Sequence, residues 1–322
     1  MDIDQHILDV TGASAISRTQ SVQTLWSGYG EIKRYILEGG KYPSVIVKHI
    51  RLQGDDNHPR AWNTNISHQR KLKSYQVERT WYQHYASKTD DLCRLPQSLH
   101  ALDTEHELLL IMEDLNASGF PIRITPNTVS LDDAKYCLTW LAHFHAKFMN
   151  TQPEGLWSIG TYWHLDTRPD EWQRMGNLAL KNAAKRIDER LNLAKFKTLV
   201  HGDAKLANFC FGTNGQVAAV DFQYVGQGCG MKDVAYFISS CFEEYECEKH
   251  EKELLDHYFN QLEIAMNNNT DFQSVKKEWI ALYPYAWADF YRFLDGWSPG
   301  HWKMHQYSAR ITHEVIGEIN KE

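Results

Sequence analysis

The stretch 199–208 reads LVHGDAKLAN, and thirteen residues after Asn208 the run VAAVDFQ places a second aspartate, Asp221, behind another apolar strand. Two carboxylates and a carboxamide at successive strand ends suit one division of labour. Asp203 accepts a hydroxyl proton, while Asn208 and Asp221 hold Mg²⁺ over the phosphates of ATP. Mg²⁺ is a hard ion that takes one or two protein oxygens and completes its shell with phosphate and water, so no His or Cys cage is needed. Lys205, two residues past the presumed base, is either a cation for the transferred phosphoryl group or an ordinary surface lysine. Two unrelated strand–turn units with Asp and Asn as turn formers are the plain alternative for the whole stretch. A second aspartate at the expected distance, after an apolar strand, favours the chemical reading.

Such groups need elements to position them. Residues 22–37 alternate loosely around Ser27, Gly28 and Gly30 and read as a hairpin, followed by the β-branched strand SVIVKHI at 44–50. The polar stretch 53–69 reads as a surface loop, and KLKSYQVERTWYQHYAS as a helix. Strands are expected near 95–102 and 107–112. Beyond them, 131–149 and 251–266 carry helical apolar stripes. The reading is α+β, with a small antiparallel-sheet lobe carrying one helix (residues 1–115) and a larger, mainly helical lobe (116–322). A cleft with a nucleotide is expected at their junction.

The remaining parts of a phosphotransferase have candidates. Lys48, at the end of VIVK, is placed to hold the α/β-phosphates, and Glu78, on the following helix, to orient it. Ser27, Gly28 and Gly30 form a phosphate-covering loop that lacks the third glycine, Lys33 standing in its place. No segment long enough for a peptide platform follows DFQ, and no A-P-E motif is present, which disfavours a protein substrate. A catalytically dead module would lack the lysine, the base or a metal ligand, yet Lys48, Asp203, Asn208 and Asp221 are all there.

HGDAKLAN with DFQ closely resembles the aminoglycoside phosphotransferase and choline kinase superfamily, whose members share the protein-kinase-like two-lobed fold. LAHFHAKF at 141–148 is similar to that superfamily's L-A-x-L-H-A segment, and the later aromatic stretch looks most like the ecdysteroid-kinase-like branch. The resemblance implies an ATP- and Mg²⁺-dependent kinase acting on a small-molecule alcohol, with adenine bonded to the backbone of Glu113 and Leu115. Asp233 reads as a cap for the following helix and a brace for the catalytic loop.

The acceptor is less defined. Residues 282–307 mix aromatic rings with Asp289, Asp295 and Arg292. Trp287, Asp289, Tyr291 and Asp295 are candidates for an acceptor wall, against the plain reading of a buried aromatic helix. Aromatic faces beside a carboxylate suit choline- or ethanolamine-type amino alcohols; bulky apolar alcohols suit the same faces. Trp163 and Arg168, in 161–172, are candidates for a lid.

Composition sets outer limits. With 43% hydrophobic and 23% charged residues the chain buries a core, and its 11 Trp and 16 Tyr suggest an aromatic-lined site. A net charge of -7 disfavours nucleic acid as a partner. Six scattered cysteines without a C-x-x-C pair, an acidic start without an apolar core, and no long apolar run lead to the expectation of a cytoplasmic protein with no membrane partner.

Overall fold

In the computed structural model the described residues are 2–25, 28–51, 65–267 and 272–321. They fall into two compact units. The first holds 1–90, 94–122 and 210–220; the second holds 91–93, 123–209 and 221–322.

Strand alternation organises the first unit. Helix α1 (Ile3–Thr11) opens it, its start capped by the Asp2 side chain and its end by Gly12 in the left-handed region. This short helix adds to the one helix expected from the sequence. Strands β1 (Ala15–Thr24), β2 (Gly30–Glu38) and β3 (Ser44–Arg51) follow, then helix α2 (Asn65–His84) and strands β4 (Ser98–Asp103) and β5 (Glu107–Glu113). They form one antiparallel sheet in the order β1-β2-β3-β5-β4. The expected hairpin is longer than its apolar signal, because β1 is an edge strand whose polar residues are mostly exposed and do not alternate. The expected loop over 53–69 ends early: α2 is already formed at Asn65, while 53–64 lie outside the described residues. In β3, Val45 and Val47 pack with Tyr35, Leu37, Leu109, Ile111 and Ile7 of α1. Period-two alternation therefore turns Lys48 to the opposite face, where it meets α2.

Two later pieces complete this unit. Strands β7 (Phe209–Phe211) and β8 (Val217–Ala219) pair, and Cys210 and Ala218 bury with Leu115 and Phe120. The hairpin between Asn208 and Asp221 thus belongs mainly to the first unit.

The second unit is helical: α3 (Leu131–Lys147), α4 (Pro169–Arg174), α5 (Leu178–Asn192), α6 (Met231–Cys241), α7 (Glu244–Met266), α8 (Phe272–Trp297) and α9 (Gln306–Ile319). Helix α8 packs against α4, α5, α6, α7 and α9, which makes it the spine of the unit. A Ser130–Asp133 capping box starts α3. The only regular strands here besides Phe209 of β7 are β6 (Thr198–Val200) and β9 (Gly226–Gly228), an antiparallel pair among the described residues. Helix α6 begins at Met231, directly after β9, so the stretch after Asp221 holds no platform segment. The six cysteines are buried and form no disulfide. Among the described residues no helix is long and apolar enough to cross a membrane.

Candidate active site

Strand β6 delivers the chain to His201 and then to a turn that only glycine fits. Gly202 has φ +78°, and a Cβ there would lie 2.1 Å from the carbonyl oxygen of Tyr224. The turn is pinned by Asp233 on α6. Its carboxylate accepts the N–H of His201 at 2.6 Å and of Gly202 at 2.9 Å. The His145 ring donates from Nε2 to the same carboxylate at 3.1 Å, and its Nδ1 accepts from the Tyr258 hydroxyl at 2.7 Å. That tautomer follows because a carboxylate only accepts. Asp233 braces the loop, and no side chain caps the start of α6. His201 is fully buried, and its Nδ1 accepts the Asp203 N–H at 3.2 Å, which makes it part of the scaffold.

Three donors converge on Asp203. Its Oδ1 accepts from the Tyr236 hydroxyl at 3.1 Å. Its Oδ2 accepts from Lys205 Nζ at 2.8 Å and from Asn208 Nδ2 at 3.1 Å. Asn208 Nδ2 also donates to the Asp203 carbonyl at 2.8 Å. Burial by itself would lower the Lys205 pKa; the carboxylates of Asp203 and Asp221 outweigh it and hold the ammonium above its ordinary range. Lys205 is therefore engaged with both carboxylates and is not a detached surface lysine.

The same geometry provides hard oxygen donors. Because the Asn208 amide spends its nitrogen on Asp203, its Oδ1 makes no hydrogen bond among the described residues. Asp221 sits at φ +70°, in the left-handed region that few non-glycine residues occupy. Phe222 behind it is buried, its ring centroid 4.6 Å from that of His201. Such backbone strain is retained where surrounding packing holds it. A carboxamide oxygen and a carboxylate fit Mg²⁺ completed by phosphate oxygens. No group of three or more His, Cys, Asp or Glu able to hold a metal exists among the described residues.

In the first unit, Lys48 Nζ lies 2.5 Å from Glu78 Oε2, and both side chains are buried. Removing either partner of such a pair strands a buried charge, at about 3–5 kcal/mol. Gly30 is required by the close passage of β2 and β3, since a Cβ would sit 2.0 Å from the His49 carbonyl oxygen. That explains the second glycine without a phosphate. Gly28 occupies a left-handed turn, and Ser27 lies outside the described residues. The Glu113 N–H is committed to the Gln97 carbonyl at 2.9 Å, and its carboxylate holds Arg94. The Leu115 carbonyl accepts from Phe120 N at 2.8 Å. Of the backbone donors assigned to adenine, the Leu115 N–H alone has no partner among the described residues.

Most of the expected acceptor side is core. Trp163 is fully buried and donates from Nε1 to Asp289 Oδ2 at 3.0 Å. Asp289 is itself fully buried and paired with Arg292 at 2.8 Å. Trp287 is buried against Tyr283 and Tyr307. Arg168 is buried, bonded to the Tyr162 carbonyl and Glu171, so 161–172 is a packed strap and not a lid. Tyr291 is half-buried, and Asp295 accepts the Asn177 N–H at 3.0 Å. Helical spacing on α8 was the decisive signal, and Trp279, Trp287 and Tyr283 of that helix are buried.

Around Asp289 and Arg292 lies a buried charge cluster with a measurable consequence. Burial, then the nearby Asp289 charge, push the Asp188 carboxyl up to about 6, against the opposing pull of Lys232 and Arg292. A carboxyl raised in the fold binds its proton more tightly there than in the unfolded chain, so stability falls as pH rises from about 4 to about 6. Asp188→Asn removes that penalty. Its melting temperature should gain on the parent's progressively across that window and hold a constant lead above it; a pH-independent difference would refute the assignment.

Three residues of the site escaped the sequence reading. Tyr236 stands one helical turn after Asp233, so the brace and the hydroxyl that holds the Asp203 carboxylate share a face of α6; that spacing was an available signal. Tyr162 packs edge-on against Tyr236 at 5.7 Å between centroids. Its strap hydrogen-bonds to the 201–203 turn through Tyr162 N to the Gly202 carbonyl. Lys303, between α8 and α9, has its ammonium 4.7 Å from the Tyr236 ring centroid. Burial lowers its pKa to about 8, against the pull of Asp203, so the group is still protonated at neutral pH. Neither Tyr162 nor Lys303 has a local motif.

The chain matches the model of the ecdysteroid kinase-like family over residues 41–156 and 161–268. No curated protein matches it in sequence. Among solved structures it is similar to the choline kinase LicA from Streptococcus pneumoniae, at 13% identity and a TM-score of 0.55, over 99% of this chain and 98% of that one. It is also similar to the amicoumacin kinase hAmiN in complex with AMP-PNP, Ca²⁺ and Ami, at 15% identity and a TM-score of 0.53, over 99% and 93%. A third is aminoglycoside 2'-phosphotransferase-IIIa in its GDP complex, at 10% identity and 0.51, over 99% and 100%. These likenesses show the fold to be protein-kinase-like, with a five-stranded antiparallel sheet unit and a mainly helical unit.

Proposed function

We propose, from the premise that this chain belongs to the ecdysteroid kinase-like family, that it is an ATP- and Mg²⁺-dependent phosphotransferase acting on a hydroxyl of a small molecule. The observation that carries the reading is the Asp203 carboxylate, held by Tyr236, Lys205 and Asn208. A carboxylate fixed by three donors is positioned to orient an alcohol and take its proton.

In the step proposed, the acceptor oxygen forms a bond to the γ-phosphorus while the bond from that phosphorus to the β–γ bridging oxygen breaks. The acceptor proton passes to Asp203, and ADP leaves with the electron pair. Lys205 offsets negative charge on the oxygens being transferred, and Lys48, oriented by Glu78, holds the α/β-phosphates. Asn208 Oδ1 and Asp221 would hold Mg²⁺, which supplies charge neutralisation between the β- and γ-phosphates. Positioning and electrostatics dominate such a reaction, since phosphoryl transfer asks little of a strong base.

Amino-alcohol acceptors of the choline type are one possibility within this reading. A nucleotide-binding module without turnover is the competing one, and the intact set Lys48, Asp203, Asn208 and Asp221 speaks against it. Two measurements separate them. Mg·ATP at a hundredfold excess over Kd should stabilise the fold by about 2.7 kcal/mol, read as a raised melting temperature. Incubation with ATP and a metabolite extract should then add one phosphate to a single species by mass spectrometry. Stabilisation without any phosphorylated product would favour the inactive module.

A further inference from the structure

The Lys303 side chain has an unusual setting. Its residue is only 8% exposed. Its ammonium lies 4.7 Å from the ring centroid of Tyr236, 5.4 Å from Phe290 and 5.5 Å from Trp302. Its Nζ makes no hydrogen bond or ion pair among the described residues; only its backbone is bonded, to His301 and Ser308. Three aromatic faces around a cation are the arrangement that recognises a quaternary ammonium ligand. Here the chain supplies the cation itself, on the ring whose hydroxyl holds Asp203.

We propose that Lys303 is a specificity-determining residue: it fills the aromatic cage beside Asp203, excludes acceptors that carry a positive charge, and selects an alcohol that offers an oxygen lone pair to its ammonium. This rests on the phosphotransferase reading above and names the class of acceptor.

Charge accounting at the site agrees. The carboxylates of Asp203 and Asp221 act on the ammonium of Lys205, and that of Asp203 acts on the ammonium of Lys303 as well. Of the two carboxylates in the expected acceptor wall, Asp289 is buried and bound to Arg292 and Trp163, and Asp295 accepts the Asn177 N–H. Each of these carboxylates already faces a cation or a hydrogen-bond donor, and a second cation over the same rings would be repelled by the first. An uncharged or lone-pair-bearing group suffers no such repulsion and satisfies a buried donor that otherwise has no acceptor.

The test is a binding titration that needs no turnover. Tetramethylammonium is titrated into the protein and into Lys303→Met, with intrinsic tryptophan fluorescence and ligand-observed NMR as readouts. The parent should bind it at least tenfold more weakly than the variant, a difference of about 1.4 kcal/mol. Lys303→Arg should stay as refractory as the parent, and choline should be phosphorylated by neither of the two cationic forms. Equal binding by parent and Lys303→Met, or tight binding by the parent, overturns the proposal. Should Lys303→Met fail to fold, Lys303→Gln takes its place, and the parent's own affinity for the probe still decides against the idea if it is high. Exclusion of the probe with no turnover of any alcohol would sink the phosphotransferase reading and leave the cage assignment standing.

Discussion

Asp203→Asn is expected to cut kcat by about 10²–10⁴-fold, the range a positioned general base contributes, while leaving the affinity for Mg·ATP nearly unchanged. The amide keeps the size of the side chain and can still accept the Tyr236 hydroxyl, which lies 3.1 Å from Oδ1. It loses the charge that orients an alcohol, and it loses half of the carboxylate pair that faces Lys205. Tyr236→Phe is the comparison that separates base from support. It removes one of three hydrogen bonds to the carboxylate, so a loss of about tenfold in kcat is expected, the weight of one hydrogen bond to a charged group. Steady-state kinetics with the acceptor found by mass spectrometry, together with nucleotide titration, measures both. Full turnover in Asp203→Asn would remove the base from the mechanism.

Gly202→Ala should be strongly destabilising. The left-handed backbone costs an alanine about 1–2 kcal/mol. The added Cβ would also overlap the Tyr224 carbonyl at 2.1 Å, adding the ~1–3 kcal/mol typical of overpacking. Either the Gly202 turn or the turn at Tyr224 must then move. Asp203 is the next residue, so a displacement of about 1 Å there would cost about 10²-fold in rate. Gly28→Ala is the control, because Gly28 has φ +71° and nothing within 4 Å of its Cβ position. It should show the backbone penalty alone. Denaturant midpoints that fall equally in the two variants would mean that the Tyr224 contact is not what makes Gly202 obligatory.

Much of the site was written locally. Asp203, Lys205 and Asn208 lie within one turn-sized segment, so their spacing already places them around one carboxylate, and the hydrogen bonds follow from it. Lys48 and Glu78 were legible for a different reason. Strand alternation turns Lys48 away from Val45 and Val47, and the next helix covers that face. The acceptor side was not legible, because the same aromatic residues satisfy a helix buried on all sides and a pocket wall. Only packing tells these apart: it buries Trp163, Trp287 and Asp289 and leaves Lys303 beside Tyr236.

The sequence alone determined the elements and the short-range geometry: the strand–turn–strand units, the brace at Asp233, and the order of Lys48, Glu78, Asp203, Asn208 and Asp221 along the chain. These depend on steric and hydrogen-bonding rules that act over a few residues. The tertiary structure decided which aromatic residues became core, that α1 covers the sheet face opposite Lys48, and that Lys303, one hundred positions after Asp203, shares its surroundings. Contacts between residues so far apart in the chain depend on how helices pack, and no local pattern encodes that.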